Sequence, residues 1–142
     1  MIGSTSGTFG SAFAFDSDGL DPDAAKYVDG VAVHWYADGN GSGNESPATL
    51  DTTHQNHPNT FLMYTEACTG CCGMQPAGPS YGDWSRGDRY AHDIIEDLNH
   101  WVVGWTDWNL CLDIQGGPNW VNNYVDAAII VNATVDEFYK NP

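Results

Sequence analysis

Thr60-Phe61-Leu62-Met63-Tyr64-Thr65-Glu66 is the stretch on which the reading of this chain turns. Six residues of strand-forming character run without a polar break straight into a carboxylate. A continuous run of this length reads as a strand buried on both faces. Its neighbours repeat the pattern. Upstream, Val31-Ala32-Val33-His34-Trp35-Tyr36 is apolar and bounded by Gly30; downstream, Val102-Val103-Gly104-Trp105-Thr106-Asp107-Trp108 is a third such run. Between the first two lies a short helical stretch, 48–57, stopped before Pro58. Between the second and third lies a longer one, 83–101, which Asp83 or Ser85 can cap. There Tyr90, Ile94, Leu98 and Trp101/Val102 recur at three- and four-residue steps, with Asp93, Glu96 and Asp97 on the opposite face. Strands alternating with helices imply parallel strands joined by right-handed crossovers. The strand ends fall near Tyr36, Glu66 and Asp107, spaced 30 and about 41 residues apart. A barrel of eight strand–helix units in roughly 250 residues needs about 31 each. The fold class expected is therefore α/β, a partial (β/α)8 barrel that gives way to a different kind of strand at Ala128-Ile129-Ile130-Val131.

The rest of the chain is organised around these runs. Positions 1–20 are rich in Gly, Ser, Ala and Asp and read as a flexible segment. Asp21-Pro22 opens a short helix over 21–28. The expected division is a flexible segment at 1–20, barrel at 21–127, and the start of a second domain at 128–142. With 142 residues, 42% hydrophobic and 13% aromatic, the chain can build one modest core. Its 4 Lys+Arg against 19 Asp+Glu give a net charge of −15. This excludes nucleic acid as a partner, and docking on an anionic membrane by charge, because no basic footprint exists. The N-terminus has no positive region typical of a signal peptide. Sequons at Asn40, Asn44 and Asn132 hint at a secretory route, provided residue 1 is not the true start. Cys68, Cys71, Cys72 and Cys111 do not make a disulfide framework. Cys68-x-x-Cys71 could suggest zinc or redox chemistry, but it lacks the second ligand pair of a structural zinc site, so no metal is expected and buried or incidental thiols are the default reading.

Chemistry on such a fold gathers beyond the carboxyl ends of the parallel strands. The residues there are His34, Trp35 and Tyr36, then Glu66, then Trp105 to Asn109. Glu66 is either a capping or salt-bridged glutamate, or a nucleophile or general base. Tyr36 and Trp108 sit beside polar residues, where aromatic rings can stack on sugars; Trp35 and Trp105 read as core. His34 alone reads as a hydrogen-bonded core histidine, and His54, His57, His92 and His100 have no ligand spacing. A carboxylate among Trp and Tyr at strand ends suggests a carbohydrate site.

Several stretches carry a resemblance. They are Asp21-Pro22-Asp23-Ala24-Ala25-Lys26-Tyr27-Val28, Val33-His34-Trp35-Tyr36, Thr65-Glu66-Ala67-Cys68, Gly104-Trp105-Thr106-Asp107-Trp108-Asn109 and Gly116-Gly117-Pro118-Asn119-Trp120-Val121. Together they resemble the glucosylceramidases of glycoside hydrolase family 30 from about Asp21 to Pro142. The resemblance implies strands six to eight of a TIM barrel with an attached β-sandwich, and a retaining β-glucosidase acting on glucosylceramide. Glu66 matches the nucleophile, and Tyr36 a tyrosine that hydrogen-bonds it. Trp108 lines the glucose pocket, Asp107 precedes it, and Asn123 belongs to the outer active-site region; His34 joins them as a substrate-binding candidate. No cofactor is implied. The implied partners are glucosylceramide or another β-glucoside, with a lipid-presenting activator protein, in a lysosomal or secreted setting. The loops at 39–43 and 71–81 depart from the family pattern. The family's acid/base is a glutamate after an asparagine at the fourth strand's end. Glu45 lies in a Gly/Ser loop, Glu96 mid-helix and Glu137 near the C-terminus, so the acid/base is expected to be missing. The alternatives are a non-catalytic sugar-binding remnant using Tyr36, Trp108 and Trp120, or a family member acting on another β-linked glycan.

Overall fold

The computed structural model describes residues 2–4, 26–38 and 46–142. Four strands, β1 (Ile2–Ser4), β2 (Gly30–His34), β3 (Phe61–Glu66) and β4 (Val102–Trp105), form one sheet in chain order. Every pairing in it is parallel. Helix α1 (Ala48–Asn56) connects β2 to β3, and α2 (Trp84–Asn99) connects β3 to β4. The parallel α/β arrangement expected from strand–helix alternation is therefore present. The helix expected over 21–28 falls mostly outside the described residues, and Lys26-Tyr27 form a turn. β1 lies in a stretch whose composition carries no strand signal; it pairs Ile2 with Gly30. Gly30 is required there, because a β-carbon would stand 2.3 Å from the Phe61 ring.

Both faces of β2 are covered, as its unbroken apolar run implies: Val31, Ala32 and Val33 are all buried. The run does not stay extended to Tyr36, however. It turns into a 3-10 turn at Trp35–Ala37, which buries Trp35 completely and swings Tyr36 beyond the strand end. Val31, Val33, Trp35, Leu50, Leu62, Tyr64 and Val102 make the main core. Each buried aliphatic side chain there contributes about 1.5–3 kcal/mol.

Helix α2 corrects the expected polarity. Asp83 caps it by accepting from the Ser85 N–H at 3.1 Å. Tyr90 packs half-buried against the main core, as its place on the apolar face implies, but the buried residues are Arg86, Asp93 and Asp97, while Ile95, Leu98 and, just past the helix, Trp101 face solvent. The apolar periodicity pointed the other way. Polar partners on the sheet and in the loops after it decide the matter: the Trp105 indole N–H donates to Asp93 (3.0 Å), Tyr90 Oη donates to Asp107 (3.2 Å), and Arg86 pairs with Asp126. Burying a carboxylate beside such donors is tolerated, whereas burying it alone is not.

A second sheet follows, of β5 (Cys111–Asp113), β6 (Ile129–Asn132) and β7 (Glu137–Lys140). β5 and β6 are parallel and β6 and β7 antiparallel. β6 matches the strand expected at 128–131; β5 and β7 were not foreseen. β5 is three residues long, and all four residues of β7 are exposed, so neither has a run long or apolar enough to read as a strand. The β6–β7 turn places Asp136 at φ +55°, a conformation that Asp tolerates better than most residues. Leu112, Val125 and Ala127 pack with Cys68 and Cys71 into a second small core. Among the described residues no helix is long and apolar enough to cross a membrane.

Candidate active site

Glu66 ends β3 at the carboxyl edge of the parallel sheet. A bulge brings it there. Val33 pairs with Tyr64, but His34 pairs with Glu66 rather than Thr65, so Thr65 is the extra residue. An inserted residue of this kind re-aims the side chains that follow it. The result places Glu66 opposite His34, with His34 Nδ1 at 3.8 Å from Glu66 Oε1.

The same oxygen accepts a hydrogen bond from Tyr36 Oη at 3.0 Å. Tyr36 also touches Cys68 Sγ at 3.3 Å, and Cys68 Sγ lies 3.4 Å from Cys71 Sγ. Burial, followed by contact with Cys68 and Glu66, pushes the Tyr36 phenol far above its ordinary range, so it stays protonated as a donor. Its ring packs against both apolar cores. The backbone behind it is pinned by the Trp35 indole N–H, which donates to the Cys68 carbonyl at 3.1 Å. His34 meets the Tyr36 ring edge-on, with centroids 6.1 Å apart.

Beyond β4 the chain folds back toward the Glu66 loop. The Trp108 N–H donates to the Ala67 carbonyl (2.9 Å), and the Trp108 ring packs against the Cys68–Val125 core. Asp107 accepts from the Trp108 N–H (2.9 Å) and from Tyr90 Oη (3.2 Å). Burial raises its carboxyl above the usual range. Asp107 thus shapes the turn that presents Trp108, and it makes no hydrogen bond to the Glu66 group. Asn123 is held through its backbone by Asn119, which accepts from the Asn123 N–H (3.2 Å) and donates to its carbonyl. Tyr36, Glu66 and His34 are therefore in mutual contact, Trp108 is fastened to the residue after Glu66, and Asn123 stands apart from their hydrogen bonds.

Two features here were not singled out as functional from the sequence. Cys68, two residues after Glu66, is a direct neighbour of Tyr36; its proximity to a strand-end carboxylate was the available signal. Arg86 and Asp126 form a buried pair at 2.5 Å that ties α2 to the loop before β6. Arg86 also donates to the Gly78 carbonyl (3.0 Å) and the Pro76 carbonyl, and Asp126 accepts from the Ser80 N–H (2.7 Å) and Thr69 Oγ1 (3.0 Å). All four cysteines are free thiols.

Among the described residues, the grouping compact enough to hold a metal ion is Asp38, Asp93 and Asp97, with ligand atoms within 4.8 Å of one another. It lies behind the sheet, where Tyr64 Oη donates to Asp38 (3.2 Å). Burial and the nearby Asp93 charge raise Asp38 to about 8, and burial with the Asp93 and Asp38 charges raises Asp97 to about 9. Protons held on Asp38 and Asp97 would relieve the repulsion among the three carboxylates.

A model of the glycosyl hydrolase family 30 TIM-barrel domain matches residues 16–142. The chain belongs to glycosyl hydrolase family 30. It is 60% identical over 124 residues to putative glucosylceramidase 3 of Caenorhabditis elegans, covering 86% of this chain and 22% of that protein. It is 51% identical over 122 residues to lysosomal acid glucosylceramidase of Mus musculus, covering 86% of this chain and 23% of that protein. The chain thus spans less than a quarter of the length of these relatives. Among solved structures it resembles SrfJ from Salmonella typhimurium (28% identity, TM-score 0.68), covering 93% of this chain and 26% of the other. It also resembles the endo-β1,6-glucanase BT3312 (25% identity, TM-score 0.65), covering 85% of this chain and 25% of the other. The family-30 and glucosylceramidase resemblance drawn from the sequence motifs is therefore correct.

Proposed function

We propose that this chain is the nucleophile-bearing part of a retaining β-glucosidase acting on glucosylceramide. The observation that carries the reading is the hydrogen bond from Tyr36 Oη to Glu66 Oε1, made at the carboxyl edge of a parallel sheet in a family 30 chain. In this reading β2, β3 and β4 are strands six to eight of the barrel, within 21–127. The β5–β7 sheet leads into a β-sandwich, beginning at 128–142.

Glu66 attacks the anomeric carbon of the glucoside. The bond from that carbon to the ceramide oxygen breaks, and a covalent glycosyl–enzyme forms; water then attacks the same carbon and releases glucose with its configuration retained. Tyr36 holds Oε1 so that the other carboxylate oxygen is free for attack. Trp108 forms a stacking wall for glucose, and His34, Asp107 and Asn123 complete the pocket. The leaving oxygen needs a proton donor about 5–5.5 Å from the nucleophile. Among the described residues the other glutamates are engaged elsewhere: Glu96 with His92 on α2, and Glu137 with Tyr139 on β7. Glu45 lies outside the described residues; in this reading the acid/base comes from another part of a longer protein, as the short coverage of the relatives supports. The name of the mouse relative favours a lysosomal setting, where a lipid-presenting activator would aid access to a membrane-borne substrate.

A second reading keeps the mechanism and changes the substrate to another β-linked glycan, favoured by the structural likeness to the endo-β1,6-glucanase. The 60% and 51% identities to glucosylceramidases weigh toward the lipid. The test is a 2-deoxy-2-fluoro β-glucoside applied to the native polypeptide carrying this sequence, followed by peptide mass spectrometry. The expected adduct sits on Glu66 and is lost in Glu66→Gln. An adduct on another residue, or unimpaired turnover by Glu66→Gln, overturns the assignment. Faster release of sugar from a β1,6-glucan than from glucosylceramide would select the second reading.

A further inference from the structure

We propose that Cys68 and Cys71 are a thiol pair that closes reversibly to a disulfide on exposure to small disulfide oxidants, and that this closure rewires the hydrogen bonding of Tyr36. The two sulfurs lie 3.4 Å apart in the loop that leaves β3, and both residues are buried. A disulfide places its sulfurs about 2.05 Å apart, so closure asks for a movement of about 1.4 Å. The third loop cysteine, Cys72, is exposed and held at φ +59°, and Cys111 is exposed on the second sheet.

Proton accounting links this pair to Glu66. An ionised carboxylate only accepts, so the single proton of Tyr36 Oη is committed to Glu66 Oε1. The 3.3 Å contact between Tyr36 and Cys68 must then use the Cys68 S–H as donor. With that proton spent, the Cys68–Cys71 contact must use the Cys71 S–H. The side chains form a directed chain, from Cys71 to Cys68 to Tyr36 to Glu66. Cys71 is held as a thiol in it: the Cys68 contact, then burial, lifts the Cys71 thiol well above its ordinary range. Since the thiolate is the attacking species, closure is slow near neutral pH and accelerates with alkalinity.

The reaction is a two-electron exchange. The Cys71 thiolate attacks one sulfur of the oxidant RSSR, forms Cys71–S–S–R and expels RS⁻. Cys68 sulfur then attacks the Cys71 sulfur and expels a second RS⁻. The two protons released by Cys68 and Cys71 end on the two RSH products; the cysteines are oxidised and the small disulfide is reduced. Both donors of the chain are gone once the bond forms. Tyr36 keeps its bond to Glu66 but loses the S–H that polarised it.

The experiment uses the native polypeptide and oxidised glutathione, with two readouts that do not depend on glycosidase activity. Alkylation followed by peptide mass spectrometry is expected to show an internal Cys68–Cys71 bond, with two fewer free thiols, fully reversed by dithiothreitol. A Cys71→Ser variant is expected to retain Cys68 as a thiol. The ultraviolet difference spectrum between oxidised and reduced protein is expected to carry a tyrosine band that disappears in Tyr36→Phe. Glutathione resident on Cys72 with Cys68 and Cys71 still alkylatable overturns the pair. Closure with a difference spectrum unchanged by Tyr36→Phe overturns the link to Tyr36.

Discussion

Replacing Arg86 by Met should be among the most damaging single changes in this chain. The guanidinium is buried against Asp126 at 2.5 Å and also satisfies the Gly78 and Pro76 carbonyls. Methionine fills much of the same volume and removes every donor. Asp126 then keeps only the Ser80 N–H and Thr69 Oγ1 for a carboxylate that is 6% exposed. Breaking one side of a buried pair costs about 3–5 kcal/mol, because the surviving charge stays buried without its counter-ion. That is comparable with the whole stability of a marginal domain, about 5–15 kcal/mol. The double variant Arg86→Met/Asp126→Leu removes both charges together. Replacing a buried pair by apolar groups is often close to neutral, so the double variant should recover more than half of the loss. Urea unfolding followed by tryptophan fluorescence gives the midpoints, and the double-mutant cycle gives the coupling. A single-variant loss below about 1 kcal/mol, or a double variant that is worse than either single, would refute the claim that charge compensation holds α2 to the loop before β6.

The Asp38–Asp93–Asp97 cluster makes stability fall with rising pH. Asp97 and Asp38, raised to about 9 and about 8, hold protons in the folded state that an unfolded carboxylate releases near pH 3.9. Their stabilising effect is complete below about pH 4 and is lost as pH climbs toward 8–9. Asp97→Asn should flatten the alkaline side of a melting-temperature profile, and an unchanged slope would count against the cluster. Tyr36→Phe removes one hydrogen bond to a charged acceptor, worth about 1.5–3 kcal/mol. Under the proposed function kcat/KM for a chromogenic β-glucoside should fall about 10- to 100-fold, and the urea midpoint should fall with it; unchanged kinetics would show that Glu66 does not need this donor.

The parts of the fold visible in the sequence were those where local pattern and tertiary environment agree. The β2 run is apolar because both its faces are covered, whereas β3 alternates buried Leu62 and Tyr64 with half-buried Phe61 and Met63; Val31, Val33, Leu62 and Tyr64 could be placed in the core by inspection. Glu66 stood out for the opposite reason, as a charge where an apolar run stops. The face of α2 could not be read this way. Leu98 and Trp101 look like core residues and Asp93 and Asp97 like surface, yet the Trp105 indole and Arg86–Asp126 pair reverse them. Those partners are distant in sequence. β5 and β7 were invisible because three or four residues carry too little pattern. The bulge at Thr65 was equally hidden, since it arises from the β2–β3 register and no residue type announces it. Asp107 and Asn123 were named through family resemblance, and the hydrogen bonds that hold them depend on Tyr90 and Asn119.

The ring of Tyr36 has a foot in each of the two cores. It behaves like a shared bearing: its hydroxyl can be in register with Glu66 only when both housings are seated. A shift of either core is felt at the same oxygen atom, because the ring packs on both. Random substitutions scattered over Leu112, Val125, Leu50 or Val102 thus converge on one symptom. Quality of assembly, rather than survival of the fold, is what this hinge-like residue measures.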